Sequence, residues 1–186
     1  SHFEGLWPMA TTAEELKECC LQPDEACSMR QTYAVGVQRL ELLQQFTMCL
    51  ARCVGAERRV EWSVKRPWRL WRKTIESYPE EFCEQDFRHC CDVFRTGLVV
   101  EGMDQIQQLL DVLESLGRDA YDREAVLHRL GMRRTRAQLV VERIKNRFVE
   151  PCSGGYMDVI VNVRINGYVT EIQLHLRSLL SLKGDS

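Results

Sequence analysis

Nothing in this 186-residue sequence is long and apolar enough to span a bilayer, and no basic-then-apolar leader opens it. A helical membrane span and a secretory signal are therefore both excluded from the reading, and no membrane partner is expected. There is no C-x-x-C and no Cys/His grouping with zinc-finger spacing, and the nine cysteines are odd in number. Several lie in amphipathic helical patterns: Cys19-Cys20 and Cys90-Cys91 are adjacent, and Cys49 and Cys53 stand one helical turn apart. That placement argues against a disulfide framework and for reduced thiols, hence a cytoplasmic setting. No internal repeat or low-complexity tract is present, which excludes solenoids. Nor is there an excess of one charge. With 25 basic and 27 acidic residues the net charge is -2, so the chain is not one that coats nucleic acid, and nucleic acid is not an expected partner. The opening Ser1-His2 reads as a cloning remnant, and both ends read as cut from something longer.

What is present is enough chain for one domain with a sizeable core, and cations that are bunched. Arg58, Arg59, Lys65, Arg66, Arg69, Arg72 and Lys73 form one group; Arg129, Arg133, Arg134, Arg136, Arg143, Lys145 and Arg147 form another. Local positive potential on a near-neutral chain suits a small polyanion.

The most informative stretch runs from Gly154 to His175. Two alternating runs flank Asn166-Gly167, a dipeptide suited to the positive φ angles of a type I′ turn, which predicts a two-residue hairpin. Counting outward, Ile165 faces Tyr168, Asn162 faces Glu171 and Asp158 faces His175. One side, Met157, Val159, Val161, Val163 and Ile165 with Ile172, Leu174 and Leu176, is a core face. The other gathers Asp158, Asn162, Arg164, Glu171, Gln173 and His175 around a single apolar Ile160. Antiparallel sheets often face water on one side, so a solvated face is one explanation. Carboxylates paired with Asn, Gln and His are also suited to holding a metal or a phosphate ester, and both readings stand.

In chain order, a short helix is expected from Thr12 to Cys20 and a long one from Met29 to Val54, with the stripe Val35, Leu42, Leu43, Phe46, Leu50 and Val54 closed by Gly55. Residues 1–57 thus read as a helical hairpin laid on a domain at 58–186. Val60 to Val64 alternates like a strand. Pro67 suits the first turn of a following helix, on which Trp68, Trp71 and Ile75 share one face and Arg69, Arg72 and Lys73 the other. That basic face is either solvated or a phosphate site beside a helix N-terminus. Asp92 opens a buried strand ending at Val100, and a carboxylate there needs a cation or donors as partners; alternatively it pairs with Arg95 or caps a turn. An amphipathic helix follows from Met103 to Leu116, a helical turn over Arg123 to Leu130, and a strand from Leu139 to Phe148. Arg143, Lys145 and Arg147 share one face of that strand, which predicts a charged cleft. Pro151 to Gly155 turns the chain into the hairpin, and a short helical run follows Leu176.

This order of elements resembles the synthetase domain of the RelA/SpoT family over Val60 to Leu179. Lys65, Pro67 and Lys73 stand in a Val-Lys-x-Pro pattern followed by a basic helix, similar to the family's ATP-phosphate motif. Asp92, followed by Arg95, resembles the first metal-binding carboxylate. Tyr156 after Gly155 is similar to the tyrosine on which the acceptor guanine stacks, and Glu171-Ile172-Gln173 resembles the strand bearing the second carboxylate.

The resemblance implies a nucleotidyltransferase-like α/β (α+β) fold, a mixed and mostly antiparallel sheet flanked by helices. It implies transfer of pyrophosphate from ATP to the 3′-hydroxyl of GDP or GTP, with Asp92 and Glu171 as catalytic carboxylates holding Mg²⁺. Lys65, Arg69, Arg72 and Lys73 would clamp the triphosphate; Arg95, Arg143, Lys145, Arg147, Tyr156, Asn162, Gln173 and His175 would line the nucleotide cleft. The sequence departs from the family pattern at Ser63, where an arginine is usual, and at Cys152, Gly154, Met157, Ile160 and His175. The donor-phosphate and metal positions are better kept than the acceptor positions. Three functions follow: an active pyrophosphokinase with an unassigned acceptor, a relative that binds nucleotide or partner without turnover, and an interaction module working through the helices and basic patches.

Overall fold

The computed structural model describes residues 20–56, 60–117, 121–132, 138–149 and 155–180. The helix expected over Thr12 to Cys20, all but its last residue, the cations Arg58, Arg59, Arg133, Arg134 and Arg136, and most of the turn before the hairpin lie outside them. In chain order the elements are a 3₁₀ turn (Asp24–Ala26), α1 (Met29–Val37), α2 (Leu40–Cys53), β1 (Val60–Val64), α3 (Pro67–Ser77), α4 (Pro79–Cys83), β2 (Phe94–Val100), α5 (Met103–Glu114), α6 (Arg123–Arg129), β3 (Leu139–Asn146), β4 (Val159–Ile165), β5 (Tyr168–Leu176) and α7 (Arg177–Leu180).

The five strands form one sheet in the order β1-β2-β5-β4-β3. Only the central β2–β5 pair is parallel; the others are antiparallel. This is the mixed, mostly antiparallel α+β sheet that the sequence led us to expect. Asn166 and Gly167 have φ of 47° and 87°, as a type I′ turn requires. The turn sets Ile165 opposite Tyr168 and Asn162 opposite Glu171.

One sheet face is the core. Val159, Val161, Val163, Ile165, Ile172 and Leu174 are fully buried there, in one cluster with Phe46 and Leu50 of α2, and with Leu109 and Leu113 of α5. The helix expected from Met29 to Val54 is in fact two, with a break at Gln38 and Arg39. The first is started by a capping box between Ser28 and Gln31. Gly36 stands just before the break, and its missing side chain lets α1 rest on the sheet: a Cβ there would come 2.2 Å from Phe94 Cε2 and 2.9 Å from Tyr168 Cζ. Those two rings pack edge to face at 6.0 Å and cannot both yield. A Gly36→Ala variant is expected to lose about 2 kcal/mol through overpacking. Urea denaturation checks this, and an unchanged midpoint would show that α1 can lift away freely.

β3 is less regular than its alternation suggests. A bulge between Val141 and Arg143 offsets the register, so Val141 stays in the core while Arg143 crosses to the polar face opposite Asn162. Lys145 is exposed, and Arg147 falls in the turn after the strand.

Candidate active site

The polar face collects the side chains of interest because register aligns them. Ser63, Arg95, Glu171, Asn162 and Arg143 form one row across all five strands. Asp92 reaches this row from the turn before β2. Lys65, just past the end of β1, donates to its Oδ2, and Lys73, in the second turn of α3, places its Nζ 2.9 Å from Oδ1. A cavity of about 120 Å³ lies here, and Lys73, Asp92, Arg143, Asn162 and Glu171 line it together with Tyr78 and His89.

Burial works against charge on Asp92, but the ammonium groups of Lys73 and Lys65 overcome it and hold the carboxyl down at about 2. Burial lowers the proton affinity of Lys65, with the Lys73 charge acting in the same direction against the pull of Asp92. In Lys73 burial is outweighed by Asp92, and its pKa rises. Glu171 goes the other way from Asp92: burial and the Asp92 charge raise its pKa, against a hydrogen bond from Gln173. That bond is 2.7 Å, Gln173 Nε2 to Glu171 Oε1. Two neighbouring carboxylates with opposite shifts are an arrangement that can divide metal binding from proton handling.

The other expected residues are placed as follows. Arg143 Nε donates to Asn162 Oδ1 at 2.9 Å, and Arg95 Nε to Ser63 Oγ at 2.8 Å. One strand-pair along, Tyr156 Oη meets His175 Nδ1 at 2.8 Å. His175 stands 3.8 Å from Asp158, whose other oxygen is 3.4 Å from Arg147. Arg69 and Arg72 do not reach the cavity. Arg69 lies over the Trp68 ring at 5.4 Å, and Arg72 pairs with Glu76 at 2.6 Å on the exposed side of α3. The buried side of α3 is Leu70 and Thr74, and Lys73, three residues on from Leu70, flanks it. Trp68, Trp71 and Ile75, the expected packing face, are instead 56%, 50% and 44% exposed.

Cys20, Tyr78, His89 and Cys91 also border the cavity and were missed. Tyr78 and His89 stack with centroids 5.2 Å apart. They come from a helix end and a turn, where no periodicity points to a shared site. Among the described residues no three His, Cys, Asp or Glu side chains gather as a metal cluster. Asp92 and Glu171 alone still fit Mg²⁺, which accepts few carboxylates and completes its shell with water and phosphate. Asp92 Oδ1 is buried and, though ion-paired, has no aligned donor, which leaves a lone pair for a cation.

No protein-family model matches the chain, and no curated protein does. Solved structures do. The small alarmone synthetase 2 from Bacillus subtilis superposes with a TM-score of 0.57 over 83% of this chain and 77% of its own, at 14% identity. The fold is that of the small alarmone synthetases. The small alarmone synthetase 1 from Bacillus subtilis, solved bound to its product pppGpp, matches with a TM-score of 0.54 at 15% identity, over 79% of this chain and 72% of its own. The likeness to the RelA/SpoT synthetases read from four short motifs therefore holds for the alarmone-synthetase fold as a whole. No described helix is long and apolar enough to cross a membrane.

Proposed function

We propose that this chain is a Mg²⁺-dependent pyrophosphokinase, moving pyrophosphate from ATP to the 3′-hydroxyl of an acceptor nucleotide, with GDP or GTP as the first acceptors to test. One observation carries the reading: Asp92 and Glu171, far apart in sequence, border one cavity with Lys73 and Arg143. The pppGpp in the Bacillus subtilis relative supports a nucleotide as ligand.

In this reading Asp92 and Glu171 hold the metal, which when bound would neutralise phosphate charge and orient the donor. Lys65 and Lys73, already drawn to Asp92, turn their ammonium groups to the phosphate oxygens, and Arg143 meets them from β3. Glu171, through a carboxylate oxygen left off the metal, accepts the hydroxyl proton of the acceptor as the acceptor oxygen bonds to the β-phosphorus and AMP leaves. The chain supplies chiefly positioning and charge. Tyr156 and His175 offer an aromatic and polar surface to the acceptor base.

A second reading, nucleotide binding without turnover, draws on Arg69 and Arg72 facing solvent, which leaves fewer cations for the triphosphate. Calorimetry with ATP, with and without Mg²⁺, followed by assay of AMP release with GDP or GTP, separates the two. Tighter binding with Mg²⁺ and acceptor-dependent AMP supports the transferase. Mg²⁺-insensitive binding without AMP leaves the second reading, and no binding at all removes both.

A further inference from the structure

Segment 20–22 crosses the polar face of the sheet beside the cavity, and hydrogen bonds hold it there. Gln22 does most of this. β2 ends its pairing with β5 at Glu171, so Val169 has no strand on that side. The Gln22 side-chain amide supplies what a strand would: its Nε2 donates to Val169 O and its Oε1 accepts from Val169 N, both at 2.8 Å. Its backbone N donates to Arg88 O at 2.9 Å, and Arg164 Nη1 donates to Leu21 O at 3.1 Å.

Under this segment two thiols meet. Cys20 and Cys91 are 5% and 6% exposed and pack with Val169 in a small cluster separate from the main core. Cys91 Sγ donates to the Cys20 carbonyl at 2.9 Å, which brings the Cys91 thiol against the Cys20 residue inside that cluster. Both border the cavity. Cys90 is turned away, its Sγ 3.5 Å from Thr74 Oγ1 in the main core. Cys91 immediately precedes Asp92, so anything that ties Cys91 to segment 20–22 ties that segment to the turn bearing the carboxylate.

We propose that Cys20 and Cys91 are a peroxide-oxidisable pair whose reversible disulfide pins segment 20–22 over the cavity and closes it to nucleotides; the closing of the site to nucleotides rests on the function proposed above. The volume supports this. Sites for whole small-molecule ligands occupy about 300–1,000 Å³, while this cavity has about 120 Å³. Hydrogen peroxide is small enough for that space; a nucleotide is not, and Cys20 brings segment 20–22 to its wall. The chemistry balances. One thiolate attacks a peroxide oxygen, the O–O bond breaks, and the departing hydroxide takes a proton to become water, leaving a sulfenic acid. The second sulfur displaces the sulfenic hydroxyl: an S–S bond forms, the S–O bond breaks, and a second water leaves. Two thiols are oxidised, one peroxide is reduced to two waters, and a dithiol reductant reverses the change.

The test treats the whole chain with a small excess of hydrogen peroxide, maps cross-linked peptides by tandem mass spectrometry, and titrates Mg²⁺-ATP before and after. A Cys20–Cys91 link is expected in the wild type, in Cys19→Ser and in Cys90→Ser, and its loss is expected in Cys20→Ser and in Cys91→Ser. Oxidation should weaken Mg²⁺-ATP binding about tenfold in the three linked chains, with recovery on reduction, and leave both unlinked variants unchanged. No Cys20–Cys91 link in the wild type, or an equal loss of affinity on oxidation of either unlinked variant, overturns the pair. A link with unaltered nucleotide affinity overturns the closing. If the reduced wild type binds no ATP, the functional reading fails while the cross-link still decides the pair.

Discussion

An Asp92→Asn variant is expected to lose pyrophosphate transfer by about a thousandfold and to be less stable by about 3 kcal/mol. Both effects come from the same contacts. Asp92 is the sole carboxylate joined to Lys65 and Lys73 among the described residues, and Lys65 is buried. An amide of the same shape leaves two ammonium groups facing each other without a counter-charge, so either one gives up its proton or the turn opens. The variant should also lose an acid limb. The folded carboxyl lies at about 2, against an ordinary 3.8, so its contribution is complete above about pH 4 and disappears as pH falls through 2, amounting to about 2 kcal/mol. Denaturation curves between pH 2 and pH 6 should show this limb in the wild type and not in Asp92→Asn. Retained turnover would remove Asp92 from the mechanism, and an unchanged acid limb would show that its charge is not what the lysines stabilise.

Glu171→Gln should lose turnover by about a hundredfold or more and yet melt at or above the wild-type temperature. Glu171 is a buried carboxylate whose proton affinity is raised by burial and then by Asp92. The folded state therefore holds that proton more tightly than the unfolded chain, and the bare charge is a cost to folding at neutral pH. Glutamine removes the charge and keeps an oxygen for Gln173 Nε2, which now bonds Glu171 Oε1. Loss of activity with undiminished stability would mark a group kept for chemistry. A lower melting temperature would show instead that the charge supports the fold, and full activity would exclude Glu171 as the proton acceptor.

The contrast between these carboxylates also shows what could be read before the fold was known. Asn166-Gly167 is a local signal with a two-residue period on either side, so it set the pairing of Asn162 with Glu171 and the division of the hairpin into core and polar faces. Asp92 could be singled out because a carboxylate opening an apolar strand requires a partner, but its partners could not be chosen among the bunched cations. Lys65 and Lys73 reach it, whereas Arg69 and Arg72 lie on the outer side of α3, because Lys73 stands one turn on from Leu70, next to the buried side. The bulge in β3 and the break after Gly36 are set by what the chain packs against, Phe94 and Tyr168 in the second case. Cys20, Tyr78 and His89 belong to turns and connections with no periodicity to follow. The aromatic face of α3 misled because hydrophobic side chains at helical spacing do not reveal whether anything lies beneath them.

The parallel pairing of β2 with β5 governs when the site can exist during folding. The β4–β5 hairpin closes a two-residue loop and can form within microseconds. Docking β2 beside β5 must first close a long intervening chain that holds two helices and two other strands, and that entropy is lost before any contact rewards it. Arg95 meets Glu171 only through this pairing, and Asp92 arrives on the same strand. A nascent chain can thus have its hairpin, its helices and half of its polar face while Asp92 and Glu171 still stand apart, so the assembly of the carboxylate pair marks the completion of folding.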